Sequence, residues 1–102
     1  MKKIKELVDN IHEEIDGAHH YASLAIDHKD ADRHLSDMYA DMASQEMGHA
    51  KKMYDEIVSY TDEYLKTGQE VPVSMQAVWD WEKQKIADGM MKTQVMLDLY
   101  KK

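Results

Sequence analysis

The stretch SQEMGHAKKMYDEI, residues 44–57, has the make-up of an amphipathic helix, yet Glu46 and His49 stand among its apolar positions. Met42, Glu46, His49 and Met53 are spaced four, three and four apart, so all four share one helical face. Ionised carboxylates are almost never buried unpaired, because leaving water costs several kcal/mol. Glu46 therefore needs a partner, and the rest of the chain has to supply it.

Working outward, the 102 residues contain one proline, Pro72, and four glycines, with helix formers filling most of the space between them. Three helices are expected, at about 2–27, 31–67 and 75–100, in one all-α domain covering residues 1–102. In the first, Ile4, Leu7, Val8, Ile11, Ile15, Ala18, Ala22 and Ala25 recur at the spacing of a single stripe. The polar run DHKDADRH follows, with Asp30 or Asp32 able to cap a second helix. That second helix carries Leu35, Met38, Met42, Met53, Ile57, Tyr60 and Tyr64 on its expected apolar side, and Gly68 is its expected stop. Pro72 forbids continuation and Ser74 is the expected cap of the third helix, which carries Met75, Val78, Trp79, Ile86, Met90, Leu97 and Tyr100 at helical spacing.

On the first helix Glu14 falls beside Leu7, Ile11, Ala18 and Tyr21 on the apolar side, whereas Glu13 falls among polar residues. A hairpin turning near residue 30 puts Glu14 and Glu46 at the same level, each roughly 24 Å from the turn. Two carboxylates and an imidazole then meet. These oxygen and nitrogen donors suit iron, manganese or zinc, and a Glu-x-x-His pair lets both side chains of one helix reach one ion. The chain has no cysteine, so disulfides, thiolate metal sites and thiol catalysis are excluded.

Glu14, Tyr21 seven positions on, and the segment EMGHAK at 46–51 resemble the ferritin-like di-iron carboxylate superfamily, and rubrerythrin-type proteins in particular. The interval of 32 residues between Glu14 and Glu46 is close to that family's spacing. The resemblance covers the first two helices and implies a ferritin-like antiparallel hairpin with a third helix, and Glu14, Glu46 and His49 as metal ligands. A full bundle of this kind has a second Glu-x-x-His, but no histidine follows His49 here. The chain therefore holds half a site. Two copies would provide four glutamates and two histidines, as in the short encapsulated ferritins, so the bundle is expected to be completed by dimerisation, with two iron ions per dimer. The C-terminal LDLYKK does not resemble a shell-targeting tail.

The resemblance implies Fe(II) oxidation or peroxide-linked iron chemistry, a ferroxidase-type oxidoreductase activity. Two other readings stand beside it: a module holding a single metal, and a metal-free helical scaffold in which Glu46 and His49 set the register. Glu82 on the third helix is a weaker ligand candidate. A connection centred near residue 70 places the level of Glu46 at about position 94, leaving Glu82 roughly 18 Å away. His12, His19, His20, His28 and His34 read as solvated, and the methionines as a soft core. Gly17 and Gly48, inside helices and near the two glutamates, either permit close approach or are simply tolerated.

Thirteen basic and twenty acidic residues give a formal charge of −7, which opposes nucleic acid and anionic membranes as partners. The basic start MKKIKELVDN is not followed by a continuous apolar segment, and no stretch has the length and apolarity of a membrane span. The expectation is a cytoplasmic protein whose partner is another copy of itself.

Overall fold

The computed structural model describes residues 2–102, which form three α-helices: α1 Lys2–His28, α2 Arg33–Lys66 and α3 Val73–Lys101. No strand occurs among the described residues. The molecule is a rod of 57 × 19 × 18 Å.

The hairpin of α1 and α2 is sealed by small residues. Val8, Ile11, Ile15, Ala18, Ala22 and Ala25 of α1 are buried, at alternating three- and four-residue intervals. Facing them on α2 are Ser36, Ala43, Ala50 and Ile57, one at every seventh position. This differs from the expected α2 stripe. Leu35, Met42 and Met53 lie on the flank of the seam as half-buried residues, and Met38 is exposed. Alanine on both helices lets the backbones close in further than leucine or methionine would permit, so the small residues take the inner line. The Ser36 hydroxyl, fully buried, donates to the Ala25 carbonyl and so keeps its hydrogen bond.

Asp32 is the N-cap of α2, its carboxylate accepting from the Leu35 backbone N–H at 3.1 Å. At the other end Gly68 takes a positive φ of 80°, a conformation open to glycine without strain, and α2 stops. The expected Ser74 cap is overturned. Pro72 is the N-cap residue of α3, without a side-chain cap bond, and Ser74 lies one position inside the helix. Proline costs nothing there because the N–H it lacks has no acceptor at a helix start.

Helix α3 runs along α1 and meets α2 only sparsely, for instance where the Tyr54 and Trp79 rings lie 6.1 Å apart. Ile86 joins Val8, Ile11, Ile15, Ala50 and Ile57 in the main core. Gly89 sits against Ile15, and a Cβ built on it would lie 2.8 Å from the Ile15 Cγ2. Any side chain at Gly89 would push α3 off α1. Of the two tryptophans, Trp79 packs on the core and Trp81 is 60% exposed. No described helix is long and apolar enough to cross a membrane.

Candidate metal centre

Glu14 and Glu46 face each other across the hairpin at one level, and His49 lies one turn along α2 from Glu46. One donor atom from each of Glu14, Glu46 and His49 lies within 4.8 Å of the others, the sole such group of three among the described residues. Donors at about 2.0–2.2 Å from a common ion are at most about 4.4 Å apart, so small side-chain movements suffice to close this set on a metal. The His49 Nδ1 stands 3.5 Å from the Glu14 Oε2.

The electrostatics of the metal-free site are unfavourable. The Glu14 Oε2 is buried and has no hydrogen-bond partner. Glu46 is pushed above the ordinary carboxylate range, first by hydrogen bonding to Glu14, then by burial and by the Glu14 charge, while His49 pulls the other way. A cation removes the conflict, because it supplies the orphaned oxygen with a partner and neutralises both carboxylates. The residues present therefore fit a metal ion.

The raised Glu46 fixes a sign for pH dependence. Folded metal-free protein holds the Glu46 proton more tightly than unfolded chain does, so this residue's contribution to stability is present below the unfolded value of 4.5 and is lost as pH rises through the folded value. Melting metal-free wild type and Glu46→Gln across that window should give curves that converge at acid pH and separate above it, with the wild type lower. Parallel curves would show that Glu46 is not strained.

Glu14 points away from α3. His12, two residues earlier and about 200° round the helix, makes the contact with α3 instead, its Nε2 lying 2.6 Å from the Glu82 Oε2. This pairing was not read from the sequence, where His12 stood as a solvated surface group. The side chain is 30% exposed and its partner 17%. With His12 against Glu82 and Ile15 against Gly89, the level of the site on α3 falls between positions 82 and 89, not near 94. The connection is therefore not a symmetric turn about residue 70. Glu82 is engaged by His12 and stays outside the ligand group.

Tyr21 stacks on Tyr39, with ring centroids 6.1 Å apart, and packs beside Ala22, Ala43 and Leu97. It belongs to the hydrophobic wall. His28 also stacks on Tyr39, at 6.0 Å.

The chain matches the rubrerythrin family model over residues 5–94. It belongs to the rubrerythrin family. No curated protein and no solved structure matches it. Membership of the rubrerythrin family agrees with the all-α, ferritin-like arrangement of these helices and implies binding of iron or a related metal, and a carboxylate and histidine group able to hold one is present.

The two glycines near the ligands differ in this rubrerythrin-family chain. A Cβ on Gly17 would lie 3.3 Å from the Glu46 Oε2, whereas one on Gly48 would meet nothing within 4 Å. Gly48→Ala should stabilise the protein by about 1 kcal/mol through helix propensity and leave metal affinity unchanged. Gly17→Ala has the same propensity gain but displaces the Glu46 carboxylate, so its metal affinity should fall. Thermal melts with metal titrations of both variants check the contrast.

Proposed function

We propose that two copies of this chain share a di-iron centre in which Glu14, Glu46 and His49 of each copy are the ligands. The observation that carries the reading is the convergence of these three side chains around a buried, unpartnered carboxylate oxygen on the flank of the hairpin that α3 leaves uncovered. Half-buried Leu35, Met42 and Met53 and exposed Met38 extend that flank, giving a second copy an apolar rim around the ligands.

Charge favours the pairing. Two glutamates from each copy bring four negative charges, which two divalent ions balance, and His49 adds a neutral donor on either side. Bound iron would supply redox chemistry, namely Fe(II) oxidation by dioxygen or peroxide, and this agrees with a ferroxidase-type oxidoreductase. The protein residues hold and orient the donors. Metal and proton compete for the Glu46 carboxylate, whose proton affinity is raised, so binding weakens as pH falls. The net charge of −7 draws cations toward the molecule.

The test is iron content per chain, solution mass and oxygen-dependent Fe(II) oxidation, for wild type and His49→Ala. The shared centre requires one iron per chain in a species with an even number of chains, and a large loss of oxidation in His49→Ala. One metal ion in a monomer that turns over no Fe(II) would select the single-metal module. Absence of binding, with a melting temperature indifferent to metal, would select the metal-free scaffold. Oxidation unchanged in His49→Ala would end the assignment.

A further inference from the structure

Helix α3 is apolar on two sides. Its inner side packs on α1 through Ile86, Thr93 and Leu97, yet Trp81, Val95 and Leu99 are all more than half exposed on the other. Trp81, Lys85, Asp88, Lys92, Val95 and Leu99 are spaced four, three, four, three and four apart. That is the repeat of a helix seam, and all six are exposed. The Lys85 ammonium lies over the Trp81 ring at 4.2 Å, while Lys92 makes no ion pair among the described residues.

The order of residues along the seam is self-complementary in one direction only. A two-fold axis through position 90 sets Trp81 opposite Leu99 of a second copy, Lys85 opposite Val95, and Asp88 opposite Lys92. Asp88 and Lys92 then meet their opposites, twice over, Lys85 stays over its own Trp81 ring and faces Val95, and Trp81 and Leu99 cover each other at the ends. Parallel pairing would set Lys85, Asp88 and Lys92 each against itself, three like-charge contacts in succession. A charged centre between apolar ends is the kind of feature that selects orientation and register in paired helices.

We infer that the outer seam of α3 is an interface with a second copy of this chain, antiparallel and centred on residue 90, in which Asp88 and Lys92 pair across the axis. The inference stands on α3 alone and does not depend on the metal reading. Because this face is separate from the flank that bears Glu14, Glu46 and His49, a chain using both would assemble into closed rings or filaments and not stop at a dimer.

The chain has no cysteine, so engineered disulfides report the contact without background. Metal-free Asp88→Cys and Lys92→Cys proteins, mixed and oxidised, should form the mixed cross-link about tenfold or more faster than either forms a homodimer, because the four-residue offset of like positions exceeds disulfide reach. In solution, Asp88→Lys should lower the oligomeric mass of the metal-free protein, and adding Lys92→Asp to it should restore the wild-type mass. Asp88→Cys cross-linking to itself as fast as to Lys92→Cys would mean parallel pairing and would overturn the inference. So would failure of the mixed pair to cross-link, or a mass unchanged by Asp88→Lys. All these positions are exposed, so loss of fold does not compete as an explanation.

Discussion

Glu14→Leu is expected to abolish iron binding and, in the same protein, to raise the melting temperature of the metal-free form. Glu14 contributes a carboxylate whose Oε2 is buried without a hydrogen bond and faces a second carboxylate on α2. Leaving such an atom unsatisfied costs about 1–3 kcal/mol, and leucine removes that cost while filling a flank between Leu7 and Tyr21. The interactions given up are the 3.5 Å approach of His49, whose side chain is 59% exposed, and the hydrogen bonding between Glu46 and the Glu14 carboxyl, and at so open a site both contribute little. Calorimetry of metal-free wild type and variant, beside iron analysis of both after loading, reads the two effects together. A variant that melts lower than wild type would show that Glu14 is a structural residue; one that still binds iron fully would remove it from the ligand set.

Ile57→Ala is expected to cost about 2–5 kcal/mol, the range for deleting a large buried aliphatic side chain. Ile57 is fully buried and belongs to the main core, which it shares with Val8, Ile11, Ile15 and Ile86 and which draws on all three helices. For a chain of this size each kcal/mol moves the melting temperature by roughly 4–8 °C, so a fall of about 8–40 °C should appear in a thermal scan. The candidate ligands Glu14, Glu46 and His49 lie nearer the middle of the hairpin. Iron loading of Ile57→Ala should therefore approach wild type at low temperature, where the protein remains folded, and fail on warming. A shift of only a few degrees would mean that this end of the core collapses around the gap, and loading that fails even in the cold would tie Ile57 to the geometry of the site.

The candidate site was legible because two signals agreed. Glu46 and His49 broke an apolar helical pattern, and the hairpin arithmetic brought Glu14 to their level. Both signals depend only on helix geometry and the position of one turn, which Asp32 marks well. The inner line of α2 was not legible for the opposite reason. Alanine and serine contribute little to a hydrophobic pattern, so Leu35, Met38 and Met42 stood out although Ser36, Ala43 and Ala50 make the seam. Close packing rewards the absence of side-chain volume, a property that hydrophobicity does not measure. The register of α3 was missed because the connection between Lys66 and Val73 does not turn symmetrically about residue 70, as the contacts of His12 with Glu82 and of Ile15 with Gly89 show. Pairing of His12 with Glu82 follows from that register and was lost with it.

The placement of His12 and Glu14 on opposite sides of α1 has a consequence for how such a protein changes over generations. One helix thus presents Glu14 on one side and the contact with α3 on the other, so Glu14 can change without removing the pairing of His12 with Glu82.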